Sequence, residues 1–160
     1  MNIARNNTLC FTGHRPGKVF SYNPIESKEM LTELKKHIVY MIEHKEIEHF
    51  ITGMALGIDM WAARIVLNLK KQYPHIKLIC AIPCDKQWIR WASESIEEWN
   101  NIVAKADIVH YVSTEPYTAW CMQVRNKWMV DHSNIVLAIW DNSDGGTKNC
   151  VTYAMKQDVE

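Results

Sequence analysis

The sequence predicts an α/β protein, a three-layer sandwich in which helices cover both faces of a mostly parallel, doubly wound sheet. Short apolar runs recur along the 160 residues, and two of them end directly at glycine. Between these runs, apolar residues repeat every three or four positions, which is the spacing of an amphipathic helix. Strands that are apolar without alternation are typical of a parallel sheet covered on both faces. Alternating strands and helices without a linker-like stretch predict a single domain over residues 1–160.

Five strands and five helices are predicted in alternation. The strands are assigned to residues 8–13, 49–53, 76–83, 107–112 and 134–140. The helices are assigned to residues 25–42, 58–71, 93–106, 120–133 and 147–157, with Thr147 as the expected N-cap of the last one. In sheets of this kind, ligands bind beyond the carboxyl ends of the strands, so the residues that follow each strand are the candidates for a site.

The charge composition argues against a broad nucleic-acid interface. Lysine plus arginine number 18, as do aspartate plus glutamate, and the isoelectric point is near 7.0. Sequence-independent binding to nucleic acid depends on neutralising phosphates, so we expect no nucleic-acid partner. A local basic pocket for one small anion is compatible with the same balance.

The distribution of apolar residues along the sequence bears on where the protein is located. No segment has the uninterrupted apolar length of a membrane span, and the first residues lack the apolar core of a signal peptide, so we expect a cytoplasmic protein with no membrane partner.

The five cysteines are odd in number and several lie in apolar runs, which favours reduced core thiols. Cys80 and Cys84 have no second Cys or His pair with matching spacing, so no metal site is expected.

The first candidate segment follows the first strand and consists of Thr12, Gly13, His14, Arg15 and Pro16. Glycine permits close backbone approach, and arginine offers a fork of donors suited to phosphate or carboxylate. A surface turn with a solvated arginine accounts for the same residues equally well.

The second candidate segment, TGMALGID at residues 52–59, follows the second strand. Gly53, Ala55 and Gly57 lead straight into a helix, whose first backbone N–H groups could bind an anion. The spacing is not the G-x-G-x-x-G pattern of dinucleotide sites. Asp59 lies in the first helical turn, where it either satisfies the helix dipole or binds a ribose hydroxyl.

Two later segments complete the candidate site. Arg125 and Asn126 interrupt an otherwise apolar helix surface, although an arginine there is ordinarily just solvated. The loop after the fifth strand supplies Asp141, Gly145, Gly146 and Thr147. This loop is either a second anion cradle or a flexible connector. Because three glycine-bearing loops follow parallel strands, all should open on one edge of the sheet, and this convergence favours a single cleft.

Taken together, these motifs resemble those of the SLOG superfamily of Rossmann-like nucleotide-binding proteins, and of its YpsA-like branch in particular. That branch carries T-G-H-R-P, G-x-A-x-G-x-D, an Arg-Asn pair and a D-G-G/S-type loop, which are similar to residues 12–16, 53–59, 125–126 and 141–147 here. The resemblance implies a Rossmann-like fold that binds a nucleotide or nucleotide-derived ligand, with no other cofactor implied. It favours a sensor or sequestering module over an enzyme, of a kind carried by phages or mobile elements and acting on an ADP-ribose-type or cyclic nucleotide signal.

Two relatives within the superfamily imply alternative functions. LOG-type phosphoribohydrolases cleave nucleotide N-glycosidic bonds with a P-G-G-x-G-T-x-x-E loop, and aligning its threonine with Thr147 puts Cys150 where the glutamate should be. Without that carboxylate, only Asp59 is left to act as the catalytic residue if the chain is an enzyme. DprA, which acts on single-stranded DNA, has motifs similar to residues 52–59 and 124–128, but the neutral net charge argues against that role here.

The resemblance also bears on the sheet edge. Members of the family usually continue past the last helix into another strand, whereas this sequence stops at Glu160. An exposed edge strand presents unpaired backbone donors and acceptors. We therefore expect a partner subunit to cover an edge of the sheet, in a homo-oligomer that is a dimer or larger.

Overall fold

A computed structural model describes residues 3–14, 24–140 and 142–160, which contain a five-stranded parallel sheet. The strands are β1 (Thr8–Gly13), β2 (His49–Thr52), β3 (Lys77–Ile82), β4 (Ile108–Tyr111) and β5 (Ile135–Ile139). All five predicted strands are therefore confirmed. β3 ends at Ile82, one residue before the predicted boundary, because Pro83 has no N–H to donate to a ladder.

Five α-helices follow the strands in turn, and a short 3-10 helix at Arg5–Asn7 precedes β1. The helices are α1 (Pro24–His44), α2 (Ile58–Leu69), α3 (Ser93–Lys105), α4 (Cys121–Asp131) and α5 (Gly146–Lys156). Helix α2 packs against both α1 and α3, whereas α4 packs against α5. The helices thus form two layers with the sheet between them, which confirms the predicted α/β three-layer, Rossmann-like sandwich.

The strand order across the sheet is β4-β3-β2-β1-β5, with every neighbouring pair parallel. The chain steps outward from β1 to β4 and then returns through α4 to place β5 on the free side of β1. The direction of winding therefore reverses between β1 and β5. Ligand clefts of open α/β sheets lie at such a switch point, at the carboxyl ends of the strands.

Two apolar clusters, one on each face, explain why the strands read as continuous apolar runs. Leu9 and Phe11 point to the face covered by α1, α2 and α3, whereas Cys10 between them points to the face of α4 and α5. The same alternation separates Leu78 from Ile79 in β3. In β1, β2 and β3 nearly every position is buried on one side or the other, as is expected where helices cover both faces, whereas the edge strand β4 leaves Val109 and Tyr111 exposed.

The outer edge of β5 carries one further backbone pairing. The Glu160 N–H donates to the carbonyl of Asn134 at 3.3 Å, and the Val136 N–H donates to the Glu160 carbonyl at 2.7 Å. Glu160 thus adds one step of parallel pairing to the outer edge of β5. The homo-oligomer stays a prediction. Among the helices in the described part of the chain, none is both long and apolar enough to cross a bilayer.

Candidate functional site

A cavity of about 290 Å³ opens at the switch point, where β1 ends and the helices α2 and α5 begin. It is lined by Thr12, Gly13, His14, Ala55, Asp59, Met122, Arg125, Asn126, Met129, Gly146 and Thr147. Nine of these eleven residues are predicted site residues, drawn from four separate segments. The two methionines complete the wall. The structure therefore brings the predicted segments to one cleft.

A larger groove of about 730 Å³ lies elsewhere, on the outer surface between α2 and α3. Charged side chains of the two helices line it, and one pair, Arg64 and Glu98, forms an ion pair at 2.9 Å across it. Surface grooves between charged helices are common, and this one brings no buried polar groups together. The smaller cleft at the switch point is the better candidate for a site.

The end of β1 forms one wall of the cleft. Gly13 is required there because a Cβ atom would lie 2.6 Å from the Cβ of Ile58, the first residue of α2. The buried His14 donates its backbone N–H to the Ile139 carbonyl, and its Nε2 lies 3.3 Å from the Ser143 hydroxyl. His14 therefore ties β1 to the loop that follows β5.

Asp59, in the first turn of α2, holds the loop between β2 and α2 through hydrogen bonds. The Ala55 N–H donates to Asp59 Oδ2 at 3.2 Å, and the Thr52 hydroxyl donates to the Asp59 carbonyl at 2.8 Å. Met54 adopts φ 60° and Gly57 adopts φ 90°, the left-handed region in which glycine is least strained. The Ala55 N–H, predicted to face an anion, already has an acceptor in Asp59. The carboxylate thus supports the loop in addition to lining the cleft.

Burial dominates the ionisation of Asp59. It raises the pKa of this carboxyl from 3.8 to about 6, against the opposing effects of the Arg125 guanidinium and the Ala55 N–H. Asp59 and Arg125 make no direct ion pair in the described residues, although both line the same cavity. The cleft therefore holds a carboxyl that changes protonation state near neutral pH.

Arg125 is buried, with 5% of its surface exposed, and its guanidinium is anchored by the protein itself. Its Nη1 donates to the Gly53 carbonyl, and its Nε donates to Asn126 Oδ1 at 2.9 Å. A Cβ atom on Gly53 would lie 2.6 Å from the Arg125 Cζ. Gly53 is therefore needed for close approach of this arginine, and Arg125 is not the solvated surface residue that its helical position alone favours.

Two residues that the sequence did not single out contribute to the site, Gln87 through hydrogen bonds and Met129 as part of the cavity wall. The Gln87 side-chain amide donates to the same Gly53 carbonyl at 3.1 Å and accepts a hydrogen bond from Trp99 Nε1 at 3.1 Å. Gln87 follows β3, so its place after a strand is the signal in the sequence that could have identified it. Met129 was also missed, because an apolar residue on a helix is indistinguishable from a core residue in the sequence.

The cleft is bordered by the N-termini of two helices that lack side-chain caps. Gly57 is the N-cap of α2 and Gly145 is the N-cap of α5, and neither helix start has a side-chain capping bond. The prediction that Thr147 caps α5 is wrong. Gly145 adopts φ 141°, which favours glycine, so the helix starts at Gly146 and places Thr147 in its first turn. N–H groups in the first turn lack intrahelical acceptors and favour an anion.

Not every predicted residue can be placed on the wall. Gly53, Gly57 and Gly145 support the cleft from behind, through the contacts and caps described above. Arg15 and Asp141 lie outside the described residues. Across residues 3–14, 24–140 and 142–160 there is no cluster of three or more His, Cys, Asp or Glu that could hold a metal ion.

The comparisons with known proteins agree with this fold. A model of the YspA SLOG family matches residues 9–160. A UPF0398 protein of Brevibacillus brevis is 36% identical over 115 residues, which are 71% of this chain and 61% of that relative. The uncharacterized SPbeta prophage-derived protein YoqJ of Bacillus subtilis is 36% identical over 141 residues, which are 79% of this chain and 82% of YoqJ. This chain therefore spans about three fifths of the Brevibacillus relative and most of YoqJ.

Two solved structures of DNA processing protein A are similar in fold. The protein from Helicobacter pylori, described for its single-stranded DNA binding mode, has a TM-score of 0.62 at 17% identity, covering 97% of this chain and 63% of that one. The protein from Streptococcus pneumoniae has a TM-score of 0.60 at 14% identity, covering 96% of this chain and 48% of that one. At these identities the likeness shows the fold alone.

Because Arg125 packs directly against Gly53, we predict that adding one methyl group at position 53 destabilises the fold. Gly53→Ala should lower the free energy of unfolding by about 1–3 kcal/mol, because the added Cβ overlaps the guanidinium carbon and must displace it. Urea unfolding measures the loss. Gly146→Ala is the matched control, since a Cβ there meets no atom within 4 Å. Equal stability of the two variants would contradict the close approach of Arg125 to Gly53.

The raised pKa of Asp59 predicts a pH-dependent cost to stability. The folded state binds the proton of Asp59 more tightly than the unfolded chain does. The protonated carboxyl therefore contributes its full stability below about pH 4, and this contribution is lost as pH rises through about 6. Relative to Asp59→Asn, the wild type should lose on the order of 3 kcal/mol over that interval. Urea unfolding of both proteins between pH 4 and 7 provides the measurement. A difference between them that does not change with pH would contradict the buried, raised carboxyl.

Proposed function

This chain belongs to the YspA SLOG family, and we propose that its cleft binds a nucleotide or nucleotide-derived small ligand, as a sensing or sequestering module. The observation that carries the proposal is the convergence of two uncapped helix N-termini and one buried arginine on a single cavity. Each of these features favours negative charge, and together they favour a phosphate group.

The donors suited to phosphate differ in how free they are. Arg125 Nη1 donates to Gly53, and its Nε donates to Asn126. A ligand would therefore interact with Nη2 and with the positive charge of the guanidinium. The N-cap residue of α5 is Gly145, which has no side chain to occupy the first-turn N–H groups at Gly146 and Thr147. We therefore assign the phosphate to the N-terminus of α5, with Arg125 supplying positive charge from the side.

The rest of the wall suits a sugar. Asp59 can accept hydrogen bonds from hydroxyl groups, and Asn126 and Thr147 offer further polar atoms. Met122 and Met129 supply adaptable apolar surface beside them. A volume of about 290 Å³ lies at the lower end of the range of small-molecule sites, which supports one nucleotide unit as the part held in this cavity.

The proposed role as a sensing or sequestering module draws on one of the relatives and on the make-up of the cleft. One relative, YoqJ, is named as prophage-derived. A cleft with donors suited to phosphate and a single carboxylate in its wall suits sensing or sequestration. ADP-ribose-type and cyclic nucleotides are the signals that we propose to test first.

The binding proposal is tested by calorimetry and thermal shift against nucleoside monophosphates, ADP-ribose and cyclic dinucleotides. At least one ligand should raise the melting temperature of the wild type in a concentration-dependent way. Gly146→Ala should weaken its binding about tenfold or more, because the methyl group adds bulk next to the N–H groups to which we assign the phosphate, while it meets no protein atom within 4 Å. Thr32→Val, on the exposed surface of α1, is the control and should bind normally. Absence of binding across the panel, or unchanged binding by Gly146→Ala, would overturn the proposal.

A second candidate function, hydrolysis of a nucleotide N-glycosidic bond, is favoured by one observation. Asp59 lines the cavity with a pKa of about 6, a value suited to proton transfer near neutral pH. Cys150 is fully buried behind the wall and offers no carboxylate in its place. Asp59 would therefore have to stabilise the positive charge that develops on the sugar, as well as assist the attacking water.

This candidate predicts release of free base from a nucleoside monophosphate, detected by chromatography. Asp59→Asn should abolish release while leaving ligand binding within a few-fold, because the amide preserves shape and removes the charge. Asp131→Asn, on the exposed end of α4, is the matched control. Turnover that survives Asp59→Asn would remove Asp59 as the catalytic group.

The support for single-stranded DNA binding as a third candidate function comes only from the proteins of similar fold, one of which is described for that activity. The net charge of zero does not support it. An oligothymidylate in the binding panel at low salt separates this function from the nucleotide site, since DNA binding would weaken steeply as salt is added.

A further inference from the structure

A single buried amide connects helix α3 to the arginine of the cleft. Gln87 accepts a hydrogen bond from Trp99 Nε1 at 3.1 Å, and its amide nitrogen donates to the Gly53 carbonyl at 3.1 Å. Arg125 Nη1 donates to the same carbonyl. Gln87 and Trp99 are both buried, and neither lines the cavity. Any effect of this pair on a ligand therefore passes through Arg125.

We propose that Gln87 is a positioning residue, which fixes the orientation of the Arg125 guanidinium and thereby raises the affinity of the cleft for the phosphate group of a ligand. The gain in phosphate affinity rests on the proposed function, whereas the orientation of Arg125 does not. Trp99 is the second member of this arrangement, because it determines which way the Gln87 amide points.

The orientation of the Gln87 amide follows from the chemistry of its neighbour. An indole N–H can only donate, so the amide atom that faces Trp99 is the oxygen. The amide nitrogen is then directed to the Gly53 carbonyl. Trp99 is itself held in the core, where it packs edge-to-face against Trp88 with the ring centroids 6.3 Å apart. The donor that Gly53 receives therefore has a fixed place in the fold.

The peptide between Gly53 and Met54 needs a bond from outside its own loop. Rotation of this peptide changes φ of Met54, which at 60° lies in the left-handed region that a residue with a side chain adopts at a cost. The Met54 N–H donates to the Thr52 hydroxyl at 3.2 Å, but Thr52 belongs to the same segment. Gln87 comes from the loop after β3, so it ties the peptide to the neighbouring strand. Without Gln87, the peptide can rotate together with Arg125.

The orientation of Arg125 determines what it offers to a phosphate. Its Nη1 and Nε are bonded to the Gly53 carbonyl and to Asn126 Oδ1, so the guanidinium plane is fixed at two points. The Asn126 side-chain nitrogen lies 3.5 Å from the carbonyl of Gly146, the first residue of α5. The positive charge and the first-turn N–H groups of α5 are thereby kept in one frame. Rotation of the Gly53 peptide would move Nη2 relative to that helix start.

The orientation of Arg125 is tested without a ligand, by the Nε–H signal of its guanidinium in nitrogen-15 NMR. The chain has five arginines, and Arg125→Lys assigns the signal by removing it. In the wild type this proton should exchange slowly with water, because it is buried and bonded to Asn126. Gln87→Met should shift the signal and speed the exchange at least tenfold, because the Gly53 carbonyl loses a donor while side-chain volume is nearly kept.

Three further variants separate positioning from general loss of stability. Gln87→Glu keeps an acceptor for Trp99 but, when ionised, has no donor for Gly53, so it should also shift the signal. Ile38→Ala creates a cavity in α1, away from the cleft, and should lower the urea midpoint without shifting the signal. Gln72→Met, at an exposed glutamine between α2 and β3, should change neither. An unshifted, slowly exchanging Arg125 signal in both Gln87 variants, or the same shift in Ile38→Ala, would overturn the positioning role.

The gain in phosphate affinity is tested by titration with inorganic phosphate, followed by calorimetry. Gln87→Met should weaken phosphate binding at least fivefold, whereas Gln72→Met should leave it within twofold. In an Arg125→Lys background, Gln87→Met should cause no further loss, because its effect passes through the guanidinium. Unchanged phosphate affinity in Gln87→Met, or an equal loss in both backgrounds, would refute this part. If the wild type does not bind phosphate, the phosphate assignment of the proposed function fails together with this gain, while the NMR signal still decides the orientation of Arg125.

Discussion

The cleft depends on one backbone carbonyl, that of Gly53 at the end of β2. It accepts hydrogen bonds from Gln87, which is joined to Trp99 on one side of the sheet, and from Arg125, which belongs to a helix on the other side. A single acceptor with two lone pairs thus connects both helical layers at the carboxyl edge. This arrangement requires glycine at position 53, because any side chain would occupy the space of the guanidinium. It also keeps a buried cation in a fixed orientation before any ligand arrives, and such preorganisation lowers the entropic cost of binding.

Asp59 and Arg125 place opposite charges in the wall of one small cavity without forming a direct ion pair. Each is tied to backbone instead, Asp59 to the Ala55 N–H and Arg125 to the Gly53 carbonyl. Burying charge in this way costs free energy, which is visible in the raised pKa of Asp59. Strain and buried charge of this kind are more typical of functional sites than of ordinary cores. The separation leaves room for a ligand to approach both groups, with its phosphate towards the arginine and hydroxyl groups towards the carboxyl.

The parts that the sequence predicts well are those set by local pattern. Continuous apolar runs identified all five strands, and the rule that strand ends carry the site identified most of the cleft. What the sequence did not reveal has two causes, one local and one that involves partners distant in the chain. Thr147 looked like a helix cap because local patterns favour threonine there, yet the backbone at Gly145 starts the helix earlier. Arg125 was predicted as a site residue, but its anchoring to Gly53 could not be foreseen because that acceptor is 72 positions away, and Gln87 was missed because its acceptor is 34 positions away. Such contacts exist only after the sheet has formed, so no local pattern encodes them.

Helix α4 connects these observations. It carries the chain from the outermost strand β4 back to β5 beside β1, and it is the only segment in the described residues that reaches Gly53 from that side of the sheet. Its residues Met122, Arg125, Asn126 and Met129 supply about a third of the cavity wall. The cleft therefore cannot form until the last strand has paired and α4 has docked, so it reports completed folding of the whole domain. For the same reason, any event that shifts the first turn of α4 acts on the cleft directly, because Met122 and Arg125 lie in that part of the helix and line the cavity.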